Sequence, residues 1–125
     1  MRILITGSRD WTDAYAIENA IIHALNTSSD DTPVTIIHGN ASGADRIADR
    51  IAKKYQFEIE IHLPDWDKNK KSAGILRNKK MVDSGADCCL AFIRNGSKGA
   101  THCSNAAMKA GIPTTVYRID EVDEW

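Results

Sequence analysis

The residues able to do chemistry in this chain gather in four short stretches. Gly7-Ser8-Arg9-Asp10 sets a glycine beside a hydroxyl, a guanidinium and a carboxylate. His38-Gly39-Asn40-Ala41-Ser42-Gly43-Ala44-Asp45 brackets small residues between two glycines and ends on an acid. Residues 68–80 carry Lys68, Lys70, Lys71, Arg77, Lys79 and Lys80 with no acid, and include Ala73-Gly74 and Arg77-Asn78. Asn95-Gly96-Ser97-Lys98-Gly99 is a further glycine-rich turn with a hydroxyl and an amine. Small residues let backbone N–H groups close on an anion, and a helix start behind them adds a favourable dipole. Arg9 can hold a phosphate through two parallel hydrogen bonds. The chemistry these stretches predict is the binding of something phosphorylated.

Such stretches act together only if the fold gathers them, and hydropathy patterning predicts that it does. Strands are expected over residues 2–6, 34–38, 57–62, 87–93 and 114–117. Helices are expected over residues 12–25 with Thr12 as cap, 44–55 with Ser42 as cap, 72–84, and 100–110, the last closed by Gly111 and Pro113. Residues 26–33 read as a polar loop, 63–71 as irregular, and 120–125 as an acidic tail. Strands alternating with helices predict an α/β, Rossmann-like three-layer sandwich with a five-stranded parallel sheet. The third strand alternates Phe57, Ile59 and Ile61 with Glu58, Glu60 and His62, which suits a sheet edge and favours the order 3-2-1-4-5. Ligands bind outside the carboxyl ends of strands where the order reverses. In that order Gly7-Ser8-Arg9 lies beside Gly96-Ser97-Lys98-Gly99, with His38, Gly39, Ser42 and Gly43 next along.

The chain as a whole sets bounds. Its 125 residues suit one domain spanning residues 1–125. A hydrophobic content of 42% and a charged content of 26% are those of a globular protein. The net charge of −1 disfavours bulk attraction to nucleic acid or to an anionic membrane. No apolar run reaches the roughly 20 residues a bilayer crossing needs. Met1-Arg2-Ile3-Leu4-Ile5-Thr6-Gly7 is too short for a secretory segment and reads as a buried strand. The three cysteines, Cys88, Cys89 and Cys103, show no disulfide pattern, and adjacent strand residues point to opposite faces. A cytoplasmic location is therefore expected. His102 and Cys103 lack the spacing of a zinc site, so no metal and no cofactor are expected.

Each feature also has a plainer reading. Gly7-Ser8-Arg9-Asp10 could be a tight turn, and Asn95 to Gly99 a solvent turn. Asp45 could cap its own helix in the manner of a capping box, or meet a ribose hydroxyl or a water. His38 could be a hydrogen-bonded strand end or a ligand contact. Lys79 and the lysines before Ser72 suit a solvated face, whereas Arg77 shares a helix face with Ala73. Trp66 could cover a base by stacking or plug a gap. The patterns Gly-x-Gly-x-x-Gly and Gly-x4-Gly-Lys-[Ser/Thr] are both absent, so neither a dinucleotide fingerprint nor a phosphate-binding loop of the common triphosphatases is present.

Taken together, these motifs resemble the SLOG superfamily, which unites DprA/Smf and the lonely-guy phosphoribohydrolases, and most closely its YspA-like, YpsA-related branch. The residues that carry the resemblance are Thr6-Gly7-Ser8-Arg9-Asp10-Trp11, His38-Gly39-x-Ala41-x-Gly43-Ala44-Asp45, Asp65-Trp66, Ala73-Gly74-x-x-Arg77-Asn78-x-x-Met81, Gly96-Ser97-Lys98-Gly99 and Ala110-Gly111-Ile112-Pro113. The resemblance implies a Rossmann-like fold and a pocket for a nucleotide or nucleotide-derived ligand. Phosphoribohydrolases of the superfamily pair an Arg-x-x-x-Met helix with a Gly-Gly-x-Gly-Thr-x-x-Glu turn. Arg77 and Met81 match the first; in the second, Ala100 stands at the threonine and Cys103 at the catalytic glutamate.

The leading expectation is a nucleotide-binding sensor or sequestering module. Its alternative is a nucleoside-monophosphate N-glycosidase, with Asp45 and Arg77 as catalytic residues. A DNA-binding role is a weaker alternative. Gly7, Ser8, Arg9, His38, Gly39, Ser42, Gly43, Asp45, Trp66, Arg77, Asn78, Gly96, Ser97, Lys98 and Gly99 are the expected ligand contacts. A homodimer is expected as well, partly from the resemblance and partly from Ile75, Leu76, Met81 and Val82, which exceed a one-sided apolar stripe on the third long helix.

Overall fold

The computed structural model describes residues 1–28 and 33–119. The elements run β1 (Arg2–Gly7), α1 (Ala14–Asn26), β2 (Thr35–His38), α2 (Ala44–Lys54), β3 (Glu58–Ile61), α3 (Trp66–Asn69), a 3₁₀ turn (Lys70–Ser72), α4 (Ala73–Asp83), β4 (Cys88–Arg94), α5 (Lys98–Lys109) and β5 (Thr114–Ile119). The five strands form one sheet in the order β3-β2-β1-β4-β5, and every neighbouring pair is parallel. The Rossmann-like α/β architecture expected from the patterning is therefore the one formed.

Alternation along β1 divides the core. Ile3 and Ile5 face α1 and α2, packing with Ile17, Ile21, Ile36, Ile47, Ala48 and Phe92. Leu4 faces the other way, with Ile37 and Cys89, onto Met81 and Val82 of α4 and Cys103 and Ala107 of α5. Burying both faces of the central strands explains why they read as continuous apolar runs. The cysteines are free thiols. No helix among the described residues is long and apolar enough to cross a membrane.

Local corrections follow from chemistry that hydropathy does not carry. The cap of α1 is Asp13, not Thr12. Asp13 accepts the Ala16 N–H at 3.1 Å, and the Trp11 indole holds the Asp13 carbonyl at 2.9 Å. Gly43, not Ser42, occupies the cap position of α2, and no side chain bonds there. Gly43 has φ +77°, the left-handed conformation in which glycine is favoured. Residues 63–71 are not wholly irregular. Asp65 caps α3 by accepting the Lys68 N–H at 3.1 Å, and the 3₁₀ turn leads into α4. The last helix begins at Lys98, two residues earlier than expected. In α4, Met81 and Val82 belong to the core, so the apolar surplus on its outside reduces to Ile75 and Leu76. Residues 29–32 of the polar loop and the acidic tail 120–125 lie outside the described residues.

One ion pair joins strands that are not neighbours. Arg2 of β1 reaches over β2 to hold both carboxylate oxygens of Glu60 on β3, each at 3.0 Å, and also donates to the Gly85 carbonyl at 2.9 Å. His62 contacts the same carboxylate at 2.8 Å. The Arg2 hydrogen bonds, with His62 behind them, hold the Glu60 carboxyl down at about 2. A depressed carboxyl contributes stability above its unfolded pKa, roughly 4.3, and loses it as pH falls toward the folded value. The pair is one-third exposed, so screening limits its worth to about 1 kcal/mol or less. Glu60→Gln should therefore melt below the wild type at pH 7, and the gap should narrow as pH falls from about 4.3 toward 2. Calorimetric melting across that range measures it.

Candidate functional site

The carboxyl ends of β1, β2 and β4 meet under a cleft of about 700 Å³. It sits at the switch point, where the chain leaves β1 for one face of the sheet and β4 for the other. Its walls are built by the loops that follow the strands and by the first turns of α4 and α5.

Hydrogen bonds around this cleft make four links that tie its walls together. The Ser8 hydroxyl accepts the Arg94 N–H at 2.7 Å and donates to the Arg94 carbonyl at 3.3 Å, joining the loop after β1 to the end of β4. The Ser8 carbonyl accepts the Ala44 N–H at 3.3 Å, joining that loop to the start of α2. The Gly39 carbonyl accepts Nη1 of Arg77 at 2.6 Å, joining the end of β2 to α4. Nδ2 of Asn78 donates to the Gly99 carbonyl at 3.4 Å, joining α4 to the first turn of α5. Arg77 and Asn78 are also bonded to each other, Nε to Oδ1, at 2.8 Å.

Backbone approach in this region is too close for side chains. A Cβ on Gly43 would strike the Ser8 and Arg9 carbonyls, and one on Gly39 would overlap the Arg77 guanidinium. Around the α5 start the reverse holds. Gly96 and Gly99 face open space, so their smallness leaves room rather than resolving a contact.

Asp45 is the most constrained acid. Its Oδ2 accepts the N–H groups of Gly39 and Ala41 at 3.1 and 3.2 Å, so it turns back onto the preceding loop rather than capping α2. The side chain is buried, and its Oδ1 has no hydrogen-bond partner. Burial raises the carboxyl above its ordinary range, opposed by the Ala41 N–H, by the nearby His38 and Arg77, and by the Gly39 N–H. The half-buried Arg77 guanidinium is pushed down by burial and held up by the Asp45 charge.

The expected contacts divide as follows. Gly7, Arg9, Asp45, Trp66, Arg77, Asn78, Ser97, Lys98 and Gly99 all line the cleft. Gly39 and Ser42 line a shallower neighbouring hollow, whose wall includes Trp66 and Arg77. Gly43 lies under the loop after β1 as part of the wall's support, and Gly96 sits exposed in the turn before α5. Ser8 is buried with its hydroxyl engaged by Arg94. His38 is fully buried behind the loop. Its Nδ1 accepts the Asn40 N–H at 2.9 Å, so the proton sits on Nε2 and is directed to Asp49 Oδ2 at 2.8 Å. Lys53 completes the chain by meeting the other Asp49 oxygen at 2.8 Å. His38 thus stands away from the cleft lining.

Sequence reasoning missed Arg94, Ile75 and His102, which line the cleft, and treated Lys71 as a solvated surface residue. Arg94 could have been found, because it is the last residue of a strand before a glycine turn. Arg94 holds Asp10 at 3.1 Å across the cleft mouth. Cys103, the residue at the glutamate position of the phosphoribohydrolase turn, is buried outside the lining, and burial pushes its thiol up to about 11. Among the described residues no cluster of His, Cys, Asp and Glu is placed to hold a metal ion.

Comparison with known proteins adds three findings. The family model described as YAcAr, the YspA, cpYpsA-related SLOG family, matches residues 1–69. That span contains the first two loops and Asp45. The Gene 61 protein of Mycobacterium phage D29 is 45% identical over 117 residues, covering 90% of this chain and 92% of that protein. No solved structure matches this chain.

The glycine geometry makes a direct prediction. Gly43→Ala places a methyl against two carbonyls at a positive φ, and should cost about 2 kcal/mol or more. Gly99→Ala enters open space inside a helix, and should be neutral or stabilise by up to about 1 kcal/mol. Urea unfolding of both variants checks the contrast.

Proposed function

The chain belongs to the YspA, cpYpsA-related SLOG family, and on that premise we propose that it binds a nucleotide or nucleotide-derived small molecule in the cleft over the β1–β4 edge. The observation that carries this reading is the charge of the cleft. Arg9, Lys71, Arg77, Arg94 and Lys98 line it against the carboxylates of Asp10 and Asp45, in a chain whose net charge is −1. Asp10 is already paired with Arg94. A concentrated positive excess in a concave site favours a multiply charged anion.

The two ends of the cleft suit the two ends of a nucleotide. At one end is the start of α5, whose first N–H groups lack intrahelical partners and carry the positive end of the helix dipole. The Ser97 side chain makes no cap bond there, which leaves its hydroxyl for a phosphate. Arg9 and Lys98 stand on the same lining. At the other end Trp66 is half exposed, and its indole offers a flat face for a base. The volume falls within the roughly 300–1,000 Å³ range of small-molecule sites.

Binding without hydrolysis is the form of the reading that the chemistry favours. Splitting an N-glycosidic bond needs a group that stabilises a developing cation and a base for water. A buried neutral thiol at Cys103 supplies neither. The hydrolase alternative therefore rests on Asp45, whose burial raises its carboxyl toward the range of a working base. For self-association, the exposed Ile75 and Leu76 on α4, beside the cleft, are the surface we propose for a second copy. Sedimentation should then give a dimer at high micromolar concentration and a monomer for Ile75→Glu.

Calorimetry with nucleoside monophosphates tests the main reading. Arg77→Ala should abolish measurable binding, and Arg9→Ala and Ser97→Ala should each weaken it by about 1.5–3 kcal/mol where a charged hydrogen bond is lost. Lys79→Ala, on the solvent side of α4, should be near neutral. Unchanged affinity in the first three variants would sink the placement. Incubating the wild type with the same nucleotides should release no free base. Release that Asp45→Asn slows by about 10²–10⁴-fold at saturating nucleotide would establish the hydrolase instead.

A further inference from the structure

Two residues that line the cleft, Asp45 and Arg77, each keep a polar atom without a hydrogen-bond partner. The acceptor is Oδ1 of Asp45. The residue is only 5% exposed, its Oδ2 is held by two loop N–H groups, and Oδ1 has no partner. Buried polar atoms in folded proteins are nearly always satisfied, and Asp45 is one of the residues lining the cleft, so its buried orphan oxygen points to a donor that arrives from that side. The donor is Arg77. Its Nη1 is taken by the Gly39 carbonyl and its Nε by Asn78, while Nη2 has no hydrogen bond among the described residues. The two charges act on each other, yet no ion pair joins them. The guanidinium is instead bonded to Asn78 and to the Gly39 carbonyl.

A group placed between them must donate to Asp45 and accept from Arg77. A phosphate oxygen accepts only, and would meet the Asp45 charge with its own. A carbonyl accepts only, and a ring N–H donates only. A hydroxyl does both through a single oxygen. Resting on the nucleotide-binding reading above, we propose that Asp45 and Arg77 together hold a sugar hydroxyl, so that the site selects ribonucleotides over their deoxy counterparts. A site built to hydrogen-bond a hydroxyl rejects the analogue lacking it strongly, because its own buried polar groups are then left unpaired. Phosphate is directed by the same logic away from Asp45, toward the α5 start. The edge of a guanine, which carries an N–H beside a carbonyl, is the competing occupant. It would place base selection, not sugar selection, on Asp45. The sugar is favoured because Asp45 is buried deep in the wall while Trp66, the flat surface suited to a base, is half exposed at its outer side.

The test is calorimetry on the full chain with adenosine 5′-monophosphate, its 2′-deoxy and 3′-deoxy forms, and guanosine 5′-monophosphate. Removing one of the two hydroxyls should weaken wild-type binding by about tenfold or more, as expected for a lost bond to a charged group. Asp45→Asn keeps an oxygen for the Gly39 and Ala41 N–H groups but replaces the orphan acceptor with a donor. It should hold the ribonucleotide about as weakly as the wild type holds the deoxy form, reducing the ribose preference to less than about threefold. If this variant proves unfolded by circular dichroism, the wild-type deoxy series decides alone. Equal wild-type affinity for all three adenosine forms would overturn the proposal and leave the nucleotide site standing. A preference that follows the base and not the sugar, or a ribose preference that survives in Asp45→Asn, would overturn it too. No binding of any nucleotide would overturn both readings together.

Discussion

The cleft depends on backbone segments coming closer than side chains would allow. The loop after β1 rests on the start of α2 because Gly43 offers no Cβ to the Ser8 and Arg9 carbonyls, and because a Cβ on Gly7 would strike the Ala44 side chain and the Phe92 carbonyl. The end of β2 accepts the Arg77 guanidinium because Gly39 leaves that space empty. Once the segments are in contact, the hydrogen bonds from Ser8, Arg77 and Asn78 can close around the cleft, and each wall is held by an element other than its own. A methyl group at one of these places would separate two walls, not merely crowd one.

Asp45 links that packing to electrostatics. Its one bonded oxygen gathers the Gly39 and Ala41 N–H groups, and so shapes the loop whose Gly39 carbonyl accepts Arg77 of α4. The same carboxyl is buried, with the Arg77 guanidinium close enough to act on it. The two oxygens of this side chain differ: one folds the loop, and the other is buried without a hydrogen-bond partner. The second acid of α2, Asp49, is four residues further on and faces His38 and Lys53 instead. Burial works against its charge, but hydrogen bonds from Lys53 and His38 hold its carboxyl below the ordinary range. One turn of helix therefore separates an acid at the cleft from an acid in the scaffold.

Charge is also organised locally. The net charge of −1 describes the chain and not its surface. Acidic and basic residues cancel in sum, while the cleft keeps an excess of Arg and Lys and pairs its exposed Asp10 with Arg94. The positive residues come from several elements around the cleft, and Lys98 adds its charge at the start of α5, where the helix dipole is also positive.

Much of this was legible in the amino-acid sequence. Parallel strands buried on both faces announce themselves as apolar runs such as Ile3-Leu4-Ile5 and Cys89-Leu90-Ala91-Phe92-Ile93, and the alternation around Glu58 and Glu60 placed β3 at the edge. Order 3-2-1-4-5 then followed from connection rules, and with it the meeting of the Gly7 and Gly96 loops. These are properties of periodicity and chain direction, which a sequence contains. Which atoms of the loops stay available for a ligand was decided only in three dimensions. His38 and Ser8 have suitable chemistry for a site, yet their polar atoms are satisfied by Asn40, Asp49 and Arg94. Asp45 reads in the sequence as either a helix cap or a ligand contact, but tertiary contact turns it onto Gly39 and Ala41 and leaves one oxygen alone. Hydrogen-bond satisfaction depends on partners that are far away along the chain, up to 86 residues between Ser8 and Arg94, and no local pattern records them.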